Sequence, residues 1–221
     1  MASRPRGKRK VTAATSSLGE EIYRRIRRDI VGCVFSLYGV GKAPVRWALA
    51  ALSRERLVIA RPRQGHTVAP ISIESLNEVF GVRLILEPAA ARQAAGRADI
   101  ALLNQLQDRI TAGIRAGDRR SERRWIEVNN AFHIEITRAA GNERLTQIVA
   151  ALLEESQRTM HLLTFIIERV KSIGGDHRDL IEALDRGDGA AAERVARRHL
   201  ENSRRLMMDA LLSGATVPRR I

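Results

Sequence analysis

From residue 73 to residue 213 apolar side chains recur every three or four positions, and the pattern is punctuated at Gly96, Gly117-Asp118, Gly141-Asn142, Gly174-Gly175 and Gly187-Asp188-Gly189. Spacing of this kind places one apolar stripe along a helix, and glycine beyond the last apolar residue ends it. The segments between the breakers predict helices at about 73–96, 99–117, 121–140, 142–168, 175–187 and 189–213. No strand alternation competes with them, so this part reads as an all-α antiparallel bundle of about six helices. Aromatic residues are only 4% of the chain. The core must therefore be built from aliphatic side chains and alanine, which favour helices.

The first third reads differently. Ile22, Ile26 and Ile30 predict a helix over 18–32, stopped by Gly32. A second helix opens at Pro44, with Val45, Ala48, Leu49 and Leu52 on one face. Leu57 to Ala60 and His66 to Ala69 read as two strands joined by the turn Arg61-Pro62-Arg63-Gln64-Gly65. A helix followed by a basic hairpin is the arrangement of a winged helix, whose helix enters the major groove while the wing meets backbone or minor groove. The expected organisation is a disordered basic arm over 1–17, a winged-helix head over 18–70 and a helical domain over 71–215, mainly α throughout. Ser72 is placed to cap the first helix of that domain.

Charge divides at the same place. Residues 1–70 hold 15 Lys and Arg against 4 Asp and Glu, a net of +11, and residues 71–221 hold 23 against 21, a net of +2. A basic module joined to a neutral one fits a partner rich in phosphate, either nucleic acid or an anionic membrane surface. No apolar run approaches the roughly 20 residues of a spanning helix. Residues 1–17 lack the apolar stretch of a signal peptide. The single cysteine, Cys33, excludes an internal disulfide and fits a reducing compartment, so a cytoplasmic location is expected.

The run Gly39-Val40-Gly41-Lys42-Ala43-Pro44-Val45-Arg46-Trp47-Ala48-Leu49, followed by Leu57-Val58 and Arg61 to Val68, resembles the winged helix of the GntR family of transcriptional regulators. Downstream, Arg83-Leu84-Ile85-Leu86-Glu87, Asn129-Asn130-Ala131-Phe132-His133 and Ala140-Gly141-Asn142 resemble the FadR-type C-terminal (FCD) effector domain. The resemblance spans about residues 18–213. It implies a homodimer on a palindromic operator in double-stranded DNA, answering to a small-molecule effector, usually a carboxylate. The chain departs from the family in one respect: only Cys33 to Tyr38 lie between Gly32 and Gly39. The family has a Pro-Gly turn and a whole helix there, so the head is expected to lack one helix. Trp47 stands where the family usually has Glu, and Arg56 where it usually has Gly. Trp47 is expected to fill part of the vacated space.

For DNA the candidates are Arg46 and Lys42 on the recognition helix, with Arg61, Arg63, Gln64 and Gly65 on the wing. In the helical domain Asn129 and His133 are four apart on one face, while His177 and His199 fall on the inward stripes of two other helices. Read as residues, these are either polar groups satisfied in a core or ligands for a divalent ion. The resemblance selects the second, because their positions match the FCD metal ligands, with Asn129 in place of the usual Asp. Zinc is the expected ion, with nickel or manganese as alternatives. Arg83, on an apolar face, needs a buried partner: Glu87 one turn on, or an effector carboxylate. Arg158 and His161 are further candidates for the effector pocket, or for a solvated face. No general base accompanies the histidines, so an enzyme is not expected. The alternative to an effector-gated regulator is a metal-dependent small-molecule-binding protein with impaired DNA binding.

Overall fold

The computed structural model describes residues 11–31, 39–55, 57–115, 118–164 and 173–212. The chain forms two compact units, Met1–Pro70 and Ile71–Ile221.

In the first unit α1 spans Val11–Val31 and α2 spans Lys42–Arg54, followed by β1 (Val58–Arg61) and β2 (Gly65–Val68). The isoleucine spacing is satisfied as expected: Ile22 and Ile26 are buried against Ala48, Leu52 and Val58. Two polar contacts tie α1 to the end of α2, with Tyr23 Oη donating to Glu55 Oε1 at 2.5 Å and Arg27 Nε donating to Glu55 Oε2 at 2.9 Å. Helix α1 begins seven residues earlier than predicted. Residues 11–17, expected within a disordered arm, are helical. No glycine or proline stands between Val11 and Leu18, and each residue added to an existing helix gains a hydrogen bond. The strands pair one residue away from the predicted limits, with Val58 opposite Val68 and Arg61 opposite Gly65. The Leu57 amide is taken up by the Leu52 carbonyl at 3.0 Å as α2 ends. The expectation of a missing helix falls on residues 32–38, which with Arg56 lie outside the described residues. Trp47 is 47% exposed, and its ring lies across Gly19, 3.1 Å from where a Cβ there would stand, edge-on to Tyr23.

The second unit contains six described helices: α3 (Ile73–Ala94), α4 (Ile100–Thr111), α5 (Arg119–Ala139), α6 (Glu143–Thr164), α7 (Ile173–Asp185) and α8 (Gly189–Leu212). Side-chain oxygens start five of them. Ser72 accepts from Ser75 N at 3.0 Å, Asp99 from Leu102 N at 2.9 Å, Asp118 from Arg120 N at 2.8 Å, Asn142 from Leu145 N at 3.2 Å and Asp188 from Ala191 N at 2.9 Å. Helix α4 is six residues shorter at its end than the predicted 99–117, because the chain turns at Gly113 with φ of 76°. Trp125 Nε1 then donates to the Ile110 carbonyl at 3.1 Å, satisfying part of that helix end.

Helix α3 carries Pro88 in its interior. Proline has no N–H to give the carbonyl one turn back, that of Leu84. Arg197 of α8 donates to that carbonyl at 3.3 Å. The two helices can approach because Gly189, opening α8, has no side chain: a Cβ there would stand 2.7 Å from the Arg92 carbonyl. The core runs between the layers through Phe80, Leu103, Ile126, Phe132, Leu184, Leu200 and Met207, all essentially without exposure. Among the described residues no helix is long and apolar enough to cross a membrane.

Candidate functional site

Three helices deliver one imidazole each to the middle of the second unit. His133 comes from α5, His177 from α7 and His199 from α8, all buried, and their ligand-capable nitrogens lie within 4.8 Å of one another. Each occupies a slot the local pattern makes inward. His133 follows the buried Phe132, His177 precedes Leu180 and Leu184, and His199 lies between Ala196 and Leu200. The Phe132 ring stacks on His177 at 4.2 Å between centroids, fixing its plane.

The geometry of the two closest rings is informative. His177 Nε2 and His199 Nε2 are 3.2 Å apart. Two nitrogens bound to one ion at about 2.0–2.1 Å, with the right-angle or tetrahedral separations of ordinary coordination, stand about 2.8–3.4 Å apart. Burial, with the neighbouring histidine charges, pushes the pKa values of both His177 and His199 well below the usual imidazole range. Both therefore stay neutral and keep a lone pair, the form a divalent ion needs. Asn129 sits one turn before His133, 1% exposed, and its Oδ1 is a buried acceptor with no hydrogen-bond partner. An orphaned oxygen one turn from His133, in a cluster with two neutral imidazoles, fits a cation better than it fits a satisfied core.

Two further side chains hold rings within hydrogen-bond distance, and a third, a carboxylate, lies farther off. His133 Nδ1 is 2.8 Å from Glu87 Oε2, His177 Nδ1 is 2.9 Å from Gln107 Oε1, and His199 Nδ1 is 3.9 Å from Asp176 Oδ2. From sequence Glu87 is expected only as a partner for Arg83, and Gln107 and Asp176 carry no expected role. A signal for Gln107 existed: it shares the apolar stripe of α4 with Leu103, Leu106 and Ile110. Arg83 Nε meets Glu87 Oε1 at 2.5 Å, both side chains almost wholly buried, and its guanidinium lies 4.8 Å from the Phe80 ring centroid. Burial works against ionising Glu87, but Arg83 and His133 outweigh it and hold its pKa down at about 2.

A small cavity opens beside these groups, lined by Glu87, His133, Thr137 and His199 with apolar neighbours, and has room for about one water molecule. Arg83 stands behind Glu87 and is not among its lining residues. Neither are Arg158, half-buried on α6, and His161, which is buried with Nδ1 2.8 Å from Glu122 Oε1.

In the first unit Lys42 and Arg46 are exposed one turn apart on α2, opposite the buried Pro44, Ala48 and Leu52. Arg61, Arg63, Gln64 and Gly65 are all exposed at the hairpin end, where Arg61 Nε donates to Thr67 Oγ1 at 3.3 Å. Gln64 N donates to the Arg61 carbonyl at 3.1 Å, with Pro62 and Arg63 between them. Arg63 has φ of 63°, a position where a turn of this pattern prefers glycine. The chain thus keeps an arginine at a strained wing tip. Replacing Arg63 by Gly is expected to raise the stability of this unit by up to about 1 kcal/mol while weakening DNA binding. Thermal melting and operator titration on the same sample read the two effects separately. Arg46→Ala is expected to cost about 1–3 kcal/mol in operator binding at fixed salt if the side chain reads a guanine; unchanged affinity excludes that role.

The FCD domain family matches residues 78–202, more than half of the chain. The transcriptional repressor RspR of Escherichia coli K12 is 26% identical over 199 residues, covering 85% of this chain and 87% of its own. The transcriptional regulator LutR of Bacillus subtilis is 26% identical over 208 residues, covering 84% and 91%. Among solved structures, E. coli McbR/YncC superposes with a TM-score of 0.70 at 19% identity, covering 90% of this chain and 99% of that one. These relatives are regulators and not enzymes, and their shared plan is the winged head and helical domain found here. The chain belongs to the FCD-domain transcriptional regulators of the GntR family.

Proposed function

We propose that this regulator binds a palindromic operator as a cytoplasmic homodimer, and that a small carboxylate effector seated beside a divalent metal in the helical domain controls it. The observation that carries the reading is the convergence of three buried imidazoles, two of them 3.2 Å apart, with the orphaned Asn129 oxygen one turn from His133. His133, His177 and His199 with Asn129 would hold the ion. Three imidazole donors favour zinc or nickel over manganese, which prefers oxygen ligands. A bound ion would supply open coordination positions to an effector carboxylate. Arg83 is engaged by Glu87, so an effector reaches that guanidinium by exchanging with the Glu87 carboxylate. Arg158 is assigned to a pocket enlarged beyond the present one-water cavity. Lys42, Arg46, Arg61, Arg63, Gln64 and Gly65 form the DNA-facing set, with the phosphate contacts setting register and Arg46 the base contact.

The test is a thermal-shift titration of metal-stripped protein, first with zinc and then with a panel of small carboxylates at saturating zinc. The reading expects zinc to raise the midpoint and at least one carboxylate to raise it further only when zinc is present. A carboxylate shift independent of zinc separates the effector site from the histidines. No zinc shift removes the metal from the proposal.

A further inference from the structure

Helix α2 carries an apolar stripe on its exposed side. Ala43, Trp47 and Ala50 recur at i, i+4 and i+7, all exposed, while Pro44, Ala48 and Leu52 are buried. Lys42 and Arg46 run alongside, and Arg54 stands exposed at the far end. No acidic residue occurs between Lys42 and Arg54. Around the helix axis, helical spacing puts Ala43 and Ala50 between Arg46 and Trp47. Trp47 is 47% exposed, yet its ring is held. One part lies over the buried Gly19, where a Cβ would meet the indole at 3.1 Å. Tyr23 meets the ring edge-on with 6.3 Å between centroids, and Tyr23 is tied in turn to Glu55. The result is a shallow apolar step, floored by two alanine methyls and walled by a pinned indole and Arg46.

The surrounding charge selects the occupant. A second copy of α2 would bring Lys42, Arg46 and Arg54 against like charge. A polyanion gains from all three. The apolar group that a duplex presents in its major groove is the thymine C5-methyl, and alanine and aromatic side chains are suited to meet it. We propose that Ala43, Trp47 and Ala50 form a thymine-methyl pocket, which makes Trp47 and Ala50 specificity-determining residues of the DNA-binding head. The inference rests on the reading of Arg46 as the base contact. One helical turn rises about 5.4 Å and successive base pairs stand about 3.4 Å apart, so the thymine falls within about two pairs of the guanine that Arg46 reads.

The test uses the full-length protein and the duplex it retains most tightly from a randomised pool, with each thymine replaced in turn by deoxyuridine. That change removes the methyl and keeps every hydrogen-bonding group. At a thymine beside the guanine that Arg46→Ala no longer distinguishes, the wild-type protein is expected to lose roughly three- to fivefold in affinity, the worth of one buried methyl. Trp47→Ala and Ala50→Ser are each expected to shrink that preference towards unity, and Trp47→Phe to keep most of it. The preference is a ratio read on one protein sample, so a head weakened by loss of the Trp47–Gly19 contact does not imitate the result. Ala50→Ser, at an exposed position, leaves that contact in place. Uracil tolerated at every position, with guanine discrimination still lost in Arg46→Ala, overturns the inference and leaves the operator reading standing. DNA-free self-association abolished by Trp47→Ala would then assign the face to a second copy. An undiminished preference in either variant also overturns the inference. No sequence enriched from the pool overturns both.

Discussion

Glu87→Ala is expected to destabilise the helical unit by about 3–5 kcal/mol in urea unfolding. The reason is the guanidinium left behind. Arg83 and Glu87 are both almost wholly buried, and removing one partner strands an uncompensated charge in the core. The same variant also takes the acceptor from His133 Nδ1. Replacing both partners by apolar residues, Arg83→Met with Glu87→Leu, is expected to recover most of the loss, because a buried ion pair contributes little net stability against well-packed hydrocarbon. If the double variant is instead as unstable as the sum of the singles, the pair matters for its shape and not for its charge.

His177→Ala is expected to abolish stoichiometric metal. Zinc at 100 times its dissociation constant stabilises a folded protein by about 2.7 kcal/mol when it ignores the unfolded chain. That increment should vanish in the variant, with metal content by mass spectrometry falling to background. Each protein is compared with its own metal-free form, so the loss of the Phe132 stacking contact does not enter. Metal content unchanged in His177→Ala would place the ion elsewhere.

The helices of the second unit were legible because each buries one stripe, and a stripe at helical spacing is a property of the segment alone. Pro88 shows the limit of that reasoning. An interior proline argues against a helix, yet α3 runs through it, with Arg197 from a distant helix satisfying the Leu84 carbonyl that Pro88 cannot. That compensation is tertiary and leaves no local trace. The histidines were legible for the same reason as the helices, since His133, His177 and His199 interrupt inward stripes. What holds them was not. Asp176 is one of two acidic residues in the first two turns of α7, and only packing against α8 decides that it lies near His199. Gln107 was visible in principle, as an amide on an otherwise aliphatic stripe. On the wing, sequence placed the turn correctly but not the positive φ of Arg63, which the residue type argues against.

We propose that the basic winged head reads DNA under the control of the histidine centre. The most direct test is a salt-titrated binding assay on the DNA upstream of the protein's own gene, with and without zinc. Retention of one sequence over competitor DNA is expected to survive increasing salt, with an affinity that changes when zinc and an effector carboxylate occupy the helical domain. Retention that is equal for all sequences and falls away with salt, indifferent to zinc, would contradict it and leave a metal-dependent binding protein whose head no longer reads an operator.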